Sequence, residues 1–227
     1  EIGSLAGSGT IGIAPGVTLT TGALQDSEFS GSIQAGPGGT VIKIGFSRFV
    51  LTGGNLVDVT NVQEGTLAIE DGGSISGTIN VATDANLEFN LNDGGSITNV
   101  IANDGTVWLA PSEGRTNTLD VSITGGGSIV KSGSGVAIVN VAQGITGFAG
   151  SVGGVLQLNV NDAFTAAEGI GVTTFLSDDA VLDINGTTQN VNGLFIAGGL
   201  IEDSVGGGSI IIGGSSALIS GTISAVI

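Results

Sequence analysis

The sequence predicts an all-β chain wound into a parallel β-helix, a β-solenoid with about 22 residues and three short strands per coil. Three observations predict it. Short runs of alternating apolar and polar residues recur throughout, each bounded by Gly, Asn, Asp or Ser. Helical periodicity is nearly absent. Apolar positions also return in register: Gly72-Gly73-Ser74-Ile75 recurs as Gly94-Gly95-Ser96-Ile97, each copy preceded by Asp. An antiparallel sandwich is the competing architecture for many short strands, but it gives no reason for apolar residues to repeat at one coil length. Residues 1–227 are read as a single array.

The strand signals run in order: Thr10–Ile13, Val17–Thr20, Thr40–Ile44, Phe49–Leu51, Leu67–Ile69, Leu87–Leu91, Val107–Leu109, Leu119–Val121, Val155–Leu158 and Leu182–Ile184. Branched apolar residues on one face and small polar ones on the other describe half-buried strands. One helical turn is expected at Asp162–Glu168, with Asp162 as its cap. The repeat offset places Ile97 over Ile75, Ile101 over Ile79 and Leu109 over Leu87. Further copies of the Gly-Gly-Ser-Ile signature stand at 126–129 and 207–210. Glycines serve tight corners, and neighbouring Asn and Asp tolerate the same backbone. Single coils cannot bury their own inward side, so stability requires stacking.

Composition excludes several functions. The chain has 227 residues, with 43 Gly and 3 Pro, and no Cys or His. Ser-His-Asp and Cys-His catalysis, zinc sites, iron–sulfur clusters and disulfides are therefore out of reach. Four Lys and Arg against 20 Asp and Glu leave a formal charge of −16. Nucleic acid is consequently not an expected partner. No apolar run approaches the roughly 18 residues of a membrane helix, so direct membrane insertion is not expected. Beginning at Glu1 with no basic-then-apolar leader, the chain reads as a mature or excised segment.

A longer repeat carries a family resemblance. Gly39-Thr40-Val41-Ile42-Lys43-Ile44-Gly45 followed by Phe49-Val50-Leu51 matches Gly127-Ser128-Ile129-Val130-Lys131-Ser132-Gly133 followed by Val136-Ala137-Ile138. Closing strands follow at Gly65–Ile69 and Gly154–Leu158. This resembles the autotransporter-associated β-strand repeat of bacterial type V secreted passengers, over about two thirds of the chain. The resemblance implies a right-handed parallel β-helix displayed outside a Gram-negative cell, and its motifs specify a coil without specifying an activity. Two departures stand out. No membrane barrel follows Ile227, which implies a passenger fragment or a separately released protein. The stretch from Ala82 to Thr124 also lacks the repeat's Lys.

Candidate sites are few. Gly7-Ser8-Gly9-Thr10-Ile11-Gly12 fits G-x-G-x-x-G, but strand-like alternation follows where a nucleotide site needs a helix. Asp58, Asp120 and Asp183 are expected to point outward from strands, three coils apart and too distant for glycoside hydrolysis. Asp178 and Asp179 read as solvated corner residues. Lys43 and Lys131 hold equivalent repeat positions, which argues for a structural role. Asp71, Asp93 and Asp104 sit at acidic corners, and stacked carboxylates there are a calcium hypothesis beside the plainer reading of turn chemistry. No other cofactor is expected. Asn185-Gly186-Thr187 fits a glycosylation sequon without further support.

The expected function is a non-enzymatic, extracellular structural or adhesive β-solenoid of a bacterial surface protein. Its partners would be a host or neighbouring-cell surface, or further copies of itself. Two alternatives stay open: a filament subunit stacking end to end through open strand edges, and a polysaccharide hydrolase or lyase built on a β-helix. The apolar tail 217–227 leans toward pairing with a neighbouring copy.

Overall fold

The structure is a computed structural model and describes residues 1–22, 24–164, 167–173 and 180–224. Among them the chain is all β, winds through about ten coils, and contains no helix. Every registered strand pair is parallel, as between Thr18–Thr21 and Thr40–Lys43. Coils are joined by backbone bonds running along the rod axis.

Three faces organise each coil. The first face stacks Thr10–Ile13, Ser32–Ala35, Gly54–Asn55, Ser74–Ile75, Gly95–Ile97, Thr116–Leu119, Val136–Val139, Val155–Leu158 and Val181–Asp183. The second stacks Thr18–Thr21, Thr40–Lys43, Val59–Val62, Thr78–Val81, Ile101–Asn103, Thr124–Gly125 and Gly144–Ile145, with Thr188–Val191 and Ser209–Ile212 further on. The third stacks Ser27–Phe29, Arg48–Leu51, Thr66–Asp71, Asn86–Leu91, Thr106–Leu109, Ser128–Lys131, Phe148–Ser151 and Gly169–Thr173. Strand Leu194–Glu202 turns the corner between the third and first faces, pairing Leu194 with Ile170 and Ile201 with Leu182. Gly198 and Gly199 make that bend at φ of 96° and 77°.

Alternation along each strand sends one set of side chains into a shared interior. On the third face, Phe29, Leu51, Ile69, Phe89 and Leu109 are successive register partners. All five are at most 3% exposed. Ile101 lies over Ile79, as the repeat predicts. The coil length varies, however: Phe29 to Leu51 is a step of 22 residues, Leu51 to Ile69 of 18 and Ile69 to Phe89 of 20. Leu87 therefore pairs with Val107, and Leu109 with Phe89. The two-residue displacement keeps the same side chains inward, because strand alternation has a period of two.

Ile75 and Ile97 also depart from the expected column. Ile75 pairs with Asn55 and Ile97 with Leu119, while between the two strands the first-face ladder is interrupted. Both isoleucines line one cavity of about 110 Å³ at that interruption. The Asn99 amide bridges it, donating to the Ile75 carbonyl at 2.7 Å.

The Gly-Gly-Ser-Ile signature marks how a corner opens into a strand, and it does so on every face. Copies enter the first face at Ser74 and Ser96, the third at Ser128 and the second at Ser209. In three of the four copies the second glycine lies against the coil beneath: a Cβ on Gly73 would stand 2.2 Å from the Leu51 carbonyl oxygen, one on Gly127 2.3 Å from that of Gly105 and one on Gly208 2.6 Å from that of Thr187, whereas Gly95 crowds Leu91 and Asn92 of its own corner.

Other strand expectations shift at their ends. The expected Leu119–Val121 strand is Thr116–Leu119. The G-x-G-x-x-G stretch runs straight into strand Thr10–Ile13, which removes its nucleotide reading. At 162–168 no helix forms among the described residues; Thr165 and Ala166 lie outside them. Asp162 adopts φ 57°, whereas an N-cap needs extended backbone, and its carboxylate accepts hydrogen bonds from Asn190 of the next coil instead.

Corner crowding yields a testable contrast. Gly77 has φ +74°, and a Cβ there would lie 2.2 Å from the Asp58 carbonyl oxygen; Gly94 has φ +76° with nothing within 4 Å. Gly77→Ala is expected to cost about 2–3 kcal/mol and Gly94→Ala about 1 kcal/mol in urea unfolding. Equal costs would show that close coil approach adds nothing to the backbone conformation.

Candidate functional site

Charged groups are the scarcest resource of this chain on the basic side, and the structure places all four cations in internal use. Lys43 and Lys131 point inward and are fully buried. The Lys43 Nζ donates to the carbonyls of Ile44, Gly45 and Glu64, at 3.0, 2.7 and 3.0 Å. The Lys131 Nζ donates to those of Ser132, Gly133 and Gly153, the last two at 2.9 Å. In each case two carbonyls belong to the lysine's own corner and the third to the next coil. The repeat thus encodes a corner device, although Lys43 serves the second face and Lys131 the third. Burial pushes the Lys131 ammonium down to about 7. Burial likewise lowers Lys43, to about 8, with Glu64 and Asp26 acting in the opposite direction.

The two arginines sit on the outside. Arg115 bonds Asp71 at 2.9 Å. Arg48 bridges two carboxylates on the third face, its Nη2 lying 2.6 Å from Glu70 Oε1 and 3.0 Å from Glu88 Oε1. Ala68, outward by alternation between these side chains, is wholly buried. Next to Glu88 in register stands Trp108, the only tryptophan of the chain. Its indole N–H donates to Asn86 Oδ1 at 2.9 Å, and Asn90 Oδ1 accepts from Ser112 nearby. Together they bring a guanidinium, two carboxylates and an indole onto one outer face. Sequence reasoning missed this grouping, because Arg48 lies 22 and 40 residues from its partners.

The three expected metal-site carboxylates are engaged separately. Asp71 pairs in register with Leu91, so Asp93 falls two residues beyond the position over it. Asp71 bonds Arg115, Asp93 Oδ1 accepts from the Thr116 backbone N–H at 2.8 Å, and Asp104 Oδ1 accepts from that of Gly126 at 3.0 Å. Asp104 also follows a second-face strand, whereas Asp71 ends a third-face one. Among the described residues no group of three or more acidic side chains is arranged to hold a metal ion.

Of the aspartates expected to point outward, Asp183 instead lies buried at 4% exposure. It accepts from Asn185 N–H and from both the backbone and hydroxyl of Ser204. Asp58 and Asp120 are exposed just outside strand ends. Asp178 and Asp179 lie outside the described residues.

Asp120 begins the longest organised feature of the exterior. Its carboxylate accepts from Ser96, Thr118 and Asn140. Bonds to Ser96, Asn140 and Thr118, in that order, hold it below the usual carboxylate range. Asn159 then donates to Asn140 at 3.0 Å and Asn185 to Asn159 at 2.7 Å, and the single Ser204 hydroxyl hydrogen, given chiefly to Asp183 at 2.6 Å, is shared with Asn185 at 3.3 Å. Ser96, Asp120, Asn140, Asn159, Asn185 and Ser204 therefore form one hydrogen-bonded row, beside the first face and along the rod. Asn185, the sequon residue, is one rung of it.

No family model matches the chain, and neither a curated protein nor a solved structure matches it. No helix among the described residues is long and apolar enough to cross a membrane.

Proposed function

We propose that the chain is a non-enzymatic, extracellular structural or adhesive solenoid of a bacterial surface protein, of the kind its repeats resemble in type V secreted passengers. The observation that carries this reading is the polar row from Ser96 to Ser204. It sets carboxamide, carboxylate and hydroxyl groups at the spacing of successive coils, about 4.8 Å, on a stiff support. Asn140 and Asn185 each spend one side-chain N–H and one lone pair on their row neighbours and keep the others for a partner, while Asn159, whose oxygen accepts from both Asn185 and Gln157, keeps one N–H. A repeating surface of that kind matches a repeating partner, where many weak contacts add up.

The carboxylate pair Glu70 and Glu88 fits contact better than hydrolysis. Glycoside cleavage needs two carboxyl groups flanking the bond, with room between them for sugar or water. Here the Arg48 guanidinium occupies that room.

Purified protein is expected to bind particles coated with bacterial or host surface polysaccharide while releasing no reducing sugar from a panel of acidic and neutral polysaccharides. Asn159→Leu, which interrupts the row, is expected to reduce that binding severalfold and shift unfolding by less than about 1 kcal/mol. Release of reducing ends, or binding indifferent to Asn159→Leu, would overturn the reading.

A further inference from the structure

We propose that the outer third face at Trp108 and Glu88 is a binding site for an organic ammonium group, such as a lysine side chain, an amino sugar or a choline headgroup. Four observations converge on it. Trp108 is half-buried on an outward position, and its ring is pinned by the Asn86 bond rather than free to rotate. Tryptophan offers the strongest ring quadrupole to a cation. Glu88 stands beside it in the next coil, held by Arg48 through Oε1, while Oε2 accepts no hydrogen bond among the described residues. A carboxylate oxygen next to a fixed indole is the pairing that selects an alkylammonium over a neutral group of the same shape.

Charge points the same way. The formal charge is −16, and each Lys and Arg is already engaged, two with carbonyls and two with carboxylates. No Lys or Arg side chain is therefore left over to take the second oxygen of Glu88, and the field of the whole molecule draws cations toward it. A divalent metal is a poorer occupant, because Arg48 already stands between Glu70 and Glu88. The site does not depend on the polar row, which runs along the first face. Binding here and adhesion there are read by different measurements.

The single tryptophan makes the test direct, since all indole emission reports from the proposed site. Wild-type protein is titrated with choline and with Nα-acetyl-lysine amide, and in parallel with 3,3-dimethylbutanol, the uncharged isostere of choline, and with glucose. The expected result is a saturable change in Trp108 emission with both ammonium ligands. The isostere and glucose should bind at least roughly tenfold more weakly. Added salt should weaken the ammonium response. Glu88→Gln, checked for an unchanged melting temperature, should lose at least roughly tenfold in choline affinity. An absent or non-saturating response to the ammonium ligands would overturn the proposal. Equal binding of the neutral ligands would overturn it as well, pointing to a saccharide platform instead. The wild-type ligand comparison decides these outcomes even if Glu88→Gln fails to fold.

Discussion

Ile79→Asp is expected to abolish folding of the rod near neutral pH. Ile79 is wholly buried and stands in register between Thr60 and Ile101, so its side chain meets the coil on either side. A carboxylate there has no cation within reach, because all four cations are committed elsewhere. The cost combines lost apolar burial with an uncompensated charge, and exceeds about 5 kcal/mol, comparable with the whole stability of many domains. Ile79→Val removes one methylene at the same place and should cost about 1 kcal/mol. Circular dichroism and urea unfolding of the two variants provide the check. A folded Ile79→Asp protein with an unchanged midpoint would mean that the coils do not share one interior.

The same column explains how far the fold was legible beforehand. Ile79 and Ile101 are identical residues one coil apart, flanked by strand-like alternation, and their stacking is written in the repeat. Parity made the inward set legible even where the offset slipped, as at Leu87 and Leu109. Coil length is what the repeat could not fix, since corners absorb insertions of a few residues at little cost. Steps of 18 to 22 residues then decide which coils bring Arg48, Glu70 and Glu88 together. A diagonal contact across three coils depends on the sum of two such steps and on which column each residue occupies. The polar row was hidden for the same reason, its rungs falling 20, 19, 26 and 19 residues apart between Asp120 and Ser204. Asp183 was misplaced for a different one. It satisfies its carboxylate with Ser204 and the Asn185 backbone, partners supplied by a corner, and that satisfaction is what lets an acid lie buried.

Stability is expected to climb as pH rises from about 6 to about 10, with Lys131 the largest contributor. Its side chain springs from the inward third-face column, between the positions of Leu109 and Ser151, and carries the ammonium to the corner. No carboxylate bonds it. Gly133 and Gly153 lend carbonyls, and a Cβ on Gly154 would stand 2.7 Å from Nζ, so the cage closes only around a glycine. In the folded chain the group loses its proton near 7, and in the unfolded chain near 10.5. Between those values the unfolded state holds the extra proton, so stability increases with pH. The penalty is complete below about 7 and gone above about 10.5, a span worth roughly 3–5 kcal/mol. Lys43, lowered to about 8, adds a smaller rise in the same direction. The sequence contains no His, Cys or Tyr, so no other side chain of those types titrates across this window. Lys131→Met keeps the apolar stem and removes the charge; it leaves the three carbonyls without their donor, so its unfolding midpoint at pH 9.5 should fall below wild type. Its midpoint should also vary much less between pH 6 and 9.5, retaining only the Lys43 component. Urea midpoints for both proteins at half-unit pH intervals provide the test, and parallel pH profiles for the two would show that the buried ammonium is not the group being titrated.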